Sequence, residues 1–171
     1  NKPFIGVVLI PEKNELWIAN GNRVWCENKN GLKKSHSFSN SKNLRNMVVV
    51  TSKNHKNKIL QNLVEKIGFK GSISMGSVGC KVASILRGDA DIYISLSMPG
   101  KSAPKDWDFA APEAILNQAG GAITTIDNKE LIYGDEGFRQ EGLIVASNDR
   151  ENHENICLEI KNIMARSNIK L

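Results

Sequence analysis

The stretch from Phe4 to Ile10 is an unbroken apolar run. It is far too short to span a membrane, and it reads as a β-strand covered on both faces. Such a strand needs a covering layer on each side. The run begins close behind Asn1, not behind a methionine. A domain that opens in mid-sheet is expected to have lost a segment before it.

The rest of the pattern fits the same plan. Leu16 to Ala19 reads as a second strand, Asn20-Gly21 as a hairpin turn and Arg23 to Glu27 as the returning strand. Asn28 to Asn46 is polar and reads as a loop, and Met47 to Thr51 as another buried strand. Lys56 to Ile67 has helical spacing, with Ile59, Leu60, Leu63, Val64 and Ile67 on one face and Gly68 as its stop. A short strand over Ser72 to Met75 leads to a helix over Ser77 to Arg87, then a strand over Asp91 to Leu96. The loop Ser97 to Lys105 precedes a helix over Asp108 to Ala119, closed by Gly120-Gly121. Strands over Ala122 to Ile126 and Gly142 to Ala146 and a helix over Asp149 to Ala165 complete the chain. Strands and helices are interspersed without a repeat or a linker. The expectation is one α/β domain over residues 1–171, a mixed β-sheet with flanking helices.

A net charge of +5 suits an anionic ligand such as a phosphate ester. The lysines are spread along the chain without a long basic run, which argues against a nucleic-acid groove. Cys26, Cys80 and Cys157 form no CxxC pair. That argues against a disulfide framework or a zinc site and for a reducing, cytoplasmic setting. No signal peptide and no membrane anchor are expected.

Three segments can carry chemistry. Gly76-Ser77-Val78-Gly79-Cys80-Lys81 is a strand-to-helix junction, where small residues let a backbone approach a ligand and helix amides point at it. Lys81 lies about one turn into the helix; it either reaches a phosphate or is a plain surface lysine. In Lys105 to Glu113, Asp108 sits where a helix begins; it either caps the helix or binds a hard divalent cation. In Thr51 to His55, Ser52 and Asn54 are possible helix caps, and His55 either faces solvent or meets a ligand.

The segment Trp107 to Gly121, with Trp107-Asp108 before Ala110-Ala111-Pro112-Glu113 and an Ala119-Gly120-Gly121 ending, resembles the C-terminal signature of the inositol monophosphatase superfamily. Gly76 to Lys81 lies at the distance expected before it, and Ala90-Asp91-Ile92-Tyr93 is similar to the strand between the two. The opening strand and hairpin also resemble the segment directly after the family's first signature. Ala111-Pro112-Glu113, the lysine-bearing loop Lys101 to Lys105 and the Ser52, His55 pair resemble the 3'(2'),5'-bisphosphate nucleotidase branch. The resemblance implies the C-terminal portion of a layered αβαβα sugar-phosphatase fold. It implies magnesium-dependent hydrolysis of a small phosphate ester, with 3'-phosphoadenosine 5'-phosphate as substrate. Ser52 and His55 would lie beside the nucleotide, Ser77 and Lys81 would hold it, Lys105 would add charge, and Asp108 would ligate Mg2+. The family's first signature and upstream glutamates are absent, so an incomplete active site, inactive alone, is expected. Many relatives are dimers, which makes a homodimer an expectation. The alternatives are an inositol or sugar phosphatase and a truncated domain that binds an anion or a protein without catalysis.

Overall fold

The computed structural model describes residues 2–53 and 57–171. Four strands, β1 (Gly6–Ile10), β2 (Glu15–Ala19), β3 (Val24–Glu27) and β4 (Lys33–Lys34), form an antiparallel meander in chain order. The Asn20-Gly21 signal marks the β2–β3 turn. Asn20 Oδ1 accepts from the amides of Asn22 and Arg23 at 3.1 and 3.0 Å, and Gly21 takes φ +93°. Lys33–Lys34 pairs with Cys26 and Glu27, inside what the sequence presents as loop.

β1 departs from the expectation of a strand covered on both faces. Gly6 and Ile10 are buried, whereas Val7 and Leu9 are exposed. The cross-strand partners of Val7 and Leu9 are Ile18 and Leu16, and Ile18 in turn faces Trp25. One face of the meander is therefore an apolar row open to solvent, and β1 is its edge.

The second sheet is built from β5 (Val48–Ser52), β6 (Gly71–Met75), β7 (Ile92–Ser97), β8 (Ala122–Thr125) and β9 (Gly142–Ser147), in the order β6-β5-β7-β9-β8. β6, β5 and β7 run parallel, and β9 is antiparallel to β7 and β8. The helices are α1 (Lys58–Ile67), α2 (Val78–Leu86), α3 (Asp106–Gln118) and α4 (His153–Arg166). α1 and α4 cover one face: Leu60, Leu63 and Ile67 pack with Ile156, Ile160 and Met164 over Val49, Ile92 and Val145. α2 and α3 cover the other, where Val82, Ile85, Phe109, Ile115 and Leu116 meet Val50, Tyr93 and Ile144. The same cluster takes in Ile10, Trp17, Ala19 and Cys26 from the meander. The order of layers is thus helix pair, five-stranded sheet, helix pair, four-stranded sheet.

The middle helices hold the meander closely. A Cβ on Gly6 would stand 2.4 Å from the carbonyl oxygen of Ala111, so only glycine lets β1 lie against α3. Arg87 Nη1 meets the buried Glu15 Oε2 at 2.8 Å and ties the C-terminal end of α2 to β2. Among the described residues, no helix is long and apolar enough to cross a membrane.

Candidate functional site

The parallel strands β6, β5 and β7 end together, and in open α/β sheets ligands bind beyond those carboxyl ends. Here the segments after them enclose a cavity of about 280 Å3. β5 delivers Ser52, the β6–α2 junction delivers Gly76, Ser77 and Lys81, β7 delivers Tyr93, Ser95 and Ser97, and the turn into α3 delivers Ser102 and Asp108. Four of the residues singled out in the sequence, Ser52, Ser77, Lys81 and Asp108, therefore line one space. The fifth, His55, lies outside the described residues, as does Asn54.

The β6–α2 junction has an unusual backbone. Ser77 takes φ +42° and ψ +135°, a region that non-glycine residues enter only under strain. Its hydroxyl makes no capping bond, although serine at this position ordinarily caps. The hydroxyl is thus left beside the first amides of α2, where the helix end favours an anion. Gly79 has a different reason for being glycine. A Cβ there would come within 2.9 Å of Val8 Cγ1, so it is needed to seat α2 on β1.

Lys81 is 3% exposed and not the surface lysine its position allowed. Nζ donates to the carbonyl oxygen of Ser77 at 3.2 Å and lies 5.2 Å from the centre of the Tyr93 ring. Burial lowers its pKa to about 8, with the charges of Cys80 and Asp108 acting the other way. Among the described residues, no carboxylate lies within ion-pairing distance of it. Tyr93, 1% exposed, is pushed up to about 12 by burial and stacks on Phe109 with centroids 6.4 Å apart.

Asp108 is exposed and stands at the third position of α3, which starts at Asp106. It caps by reaching back: Oδ2 accepts from the amide of Lys105 at 2.7 Å. Ser52 ends β5 and is no helix cap. The cap of α1 is Asn57, whose Oδ1 accepts from the amide of Ile59 at 2.8 Å. Lys105, expected to add charge, turns away from the cavity and donates through Nζ to the carbonyl oxygen of Gly137 at 2.6 Å.

The donor set admits a hard cation only in part. Asp108 offers the oxygen chemistry that magnesium takes. Among the described residues it is the cavity's one carboxylate, and no three His, Cys, Asp or Glu side chains converge on a metal position. These residues fit one ligand of one ion and cannot hold a pair.

Sequence reasoning misses Tyr93, Ser95, Ser97 and Ser102. A signal is present. Ser95 and Ser97 interrupt an otherwise apolar strand at a spacing of two, on the face that carries Tyr93. A larger cavity, of about 570 Å3, lies around Glu113, Arg150 and His153. Its buried polar groups are already engaged. Glu113 accepts from Tyr133 and Asn117, and both ring nitrogens of His153 are hydrogen-bonded. The smaller cavity is the one with polar groups to spare.

Comparison with known proteins agrees with this architecture. Over 131 residues the chain is 33% identical to the 3'(2'),5'-bisphosphate nucleotidase CysQ of Buchnera aphidicola subsp. Acyrthosiphon pisum, covering 77% of this chain and 46% of that protein. It is 29% identical over 154 residues to inositol monophosphatase 3 of Xenopus tropicalis, covering 85% of this chain and 39% of that one. Its fold is similar to that of the Thermotoga maritima IMPase, with a TM-score of 0.70 over 95% of this chain and 57% of that one, at 19% identity. The chain spans less than half the length of the two relatives matched by sequence. A match to the description "Inositol monophosphatase family" extends over residues 1–165, from the meander to the last helix, and the chain belongs to that family.

Proposed function

We propose that this chain supplies the substrate wall of a magnesium-dependent phosphomonoesterase, a 3'(2'),5'-bisphosphate nucleotidase acting on 3'-phosphoadenosine 5'-phosphate in the cytoplasm. The observation that carries the reading is the buried ammonium of Lys81. A buried charge without an opposite charge is costly, and an anion in the cavity would remove that cost. Lys81 holds a phosphate oxygen, and the hydroxyl of Ser77 and the first amides of α2 hold others. Asp108 contributes one ligand to the cation. Magnesium, when bound, supplies charge neutralisation at the leaving oxygen and acidifies the attacking water. Because the cavity offers one carboxylate among the described residues, this chain binds the ester without turning it over.

A nucleotide suits the site better than an inositol phosphate. A groove of about 390 Å3, lined by Thr51, Asn57, Gln61 and Ser74, shares Ser52 and Leu60 with the cavity and gives a nucleoside room beside the phosphate. His55, three residues after Ser52, would offer a flat imidazole face to the base. A small organic phosphate remains the partner, with no nucleic acid or membrane involved, and a homodimer is the assembly expected.

The test is a titration of the 171-residue chain with adenosine 5'-monophosphate and with inositol 1-phosphate, then a turnover assay with magnesium and 3'-phosphoadenosine 5'-phosphate. Tighter binding of the nucleotide and no turnover are expected. Preference for inositol 1-phosphate would replace the nucleotidase reading, and turnover at an ordinary enzymatic rate would refute the incomplete site. In a complete protein, His55→Ala should raise KM several-fold for the nucleotide, about 1 kcal/mol of lost contact, and spare inositol 1-phosphate.

A further inference from the structure

All six residues of β7 are buried, and a strand covered on both faces should carry apolar side chains towards its helices. Towards α2 and α3 it carries Tyr93, Ser95 and Ser97 instead. Ser95 has the phenol of Tyr93 as a neighbour. Ser97 is 7% exposed, lines the cavity, and its hydroxyl has no hydrogen-bond partner among the described residues. The antiparallel neighbour β9 shows how this fold treats a hydroxyl kept for packing. Ser147 is fully buried and its Oγ lies 2.7 Å from His153 Nδ1. Ser97 is therefore largely buried as a residue while its hydroxyl stays reachable from the cavity, free of any bond that packing would use.

Building on the phosphatase reading above, we infer that Ser97 is a ligand-binding residue, donating its hydroxyl to an oxygen of the substrate's phosphate. The same cavity holds the buried ammonium of Lys81, the uncapped hydroxyl of Ser77 and the start of α2, all of which suit the same group. Ser97 adds a donor without adding charge. The phosphate is then held from β7 as well as from α2, two elements that the core fixes against each other.

The experiment uses the 171-residue chain and its Ser97→Ala, Ser147→Ala and Lys81→Met variants. Inorganic phosphate and adenosine 5'-monophosphate are titrated against the amide resonances of Val78 and Gly79, and thermal unfolding is monitored without ligand. Ser97→Ala should weaken phosphate about fivefold and leave the Tm unchanged or higher. Ser147→Ala should do the reverse, lowering the Tm and leaving phosphate affinity alone. A lower Tm with unchanged affinity in Ser97→Ala would make Ser97 a packing residue and overturn the inference. Weaker nucleotide binding with unchanged inorganic phosphate would give its hydroxyl to the sugar and overturn the phosphate contact. If Lys81→Met loses phosphate and Ser97→Ala does not, the inference fails while the phosphate site stands. If the unaltered chain binds neither ligand, the phosphatase reading falls and this inference falls with it.

Discussion

The two ends of β7 differ in what their polar groups are bonded to. Just before the strand, the buried Asp91 accepts from the amide of Val48 at 2.6 Å and from the hydroxyl of Ser39, and Asn148 Nδ2 lies 3.4 Å from it. Ser147 on the adjoining β9 and Thr124 on β8 take both ring nitrogens of His153, at 2.7 and 2.8 Å. Nearly every polar atom there has a partner within the chain, Asn148 Oδ1 being an exception. At the other end, Ser97, Ser77 and Lys81 face a cavity, and among the described residues Lys81 meets a carbonyl and an aromatic ring. Polar groups at the closed end are largely bonded to one another and tie strands and loop together. Those at the open end line a cavity, and on the reading proposed above they are the groups that meet a ligand.

Asp91→Ala should break the closed end most severely. It strips two hydrogen bonds to a buried carboxylate from partly buried donors and should cost about 3 kcal/mol, measurable by urea unfolding. A loss below about 1 kcal/mol would mean that the two ends do not differ as described. Acid should act next, through His153, whose pKa burial lowers to about 4. The unfolded chain takes up this proton near pH 6.5 and the folded protein resists it down to about pH 4. Stability is then full above about pH 6.5, falls by about 3 kcal/mol towards pH ~4, and levels off below. His153→Gln should flatten that slope; an unchanged slope would move the acid sensitivity elsewhere.

Lys81→Met probes the open end. Phosphate affinity should drop about tenfold, while the Tm holds or rises because a costly buried charge has gone. A fall in Tm would place Lys81 with the structural groups. The smallest effect on folding belongs to Asp108→Asn, below about 1 kcal/mol, since an amide oxygen can still accept from Lys105. In a complete enzyme the same change should abolish most activity and its magnesium dependence. Unchanged activity at low magnesium would leave Asp108 as a helix cap alone.

Much of this is legible in local pattern. The spacing of Leu60, Leu63 and Ile67 marks α1, because helix faces depend on neighbours in sequence. The inward face read for α2 from Val82, Ile85 and Leu86 understates it, since α2 lies between two sheets and is buried nearly all round. What escapes depends on distant contacts. Whether β1 is covered on one face or two is decided by what packs on Val7, and local order cannot say. A surface lysine at position 81 is as good a reading of the sequence as a buried ammonium, since what it lies against, the Tyr93 ring of β7 and the start of α3, is distant in sequence. Ser97 reads as the start of a loop, because a serine before Met98-Pro99-Gly100 looks like turn chemistry until the strand is seen to continue through it. Asp108 does belong to the helix start, but the helix begins two residues earlier than its sequence suggests, at Asp106. Its place at the third position depends on Asp106 and Trp107 already being helical.

The open face of the meander also governs how the chain behaves at concentration. Val7 and Leu9 stand exposed beside Ile18, Leu16 and Trp25, on an edge strand whose run from Ile5 to Ile10 carries no charge. Uncharged edges and contiguous apolar surface are the features that natural sheets blunt to stay soluble. Concentrated solutions of this chain should therefore scatter light more strongly as ionic strength rises. Trp25 emission should shift to the blue as the row is covered, and replacing Leu9 with lysine should delay both without disturbing the ligand cavity on the far side of α2.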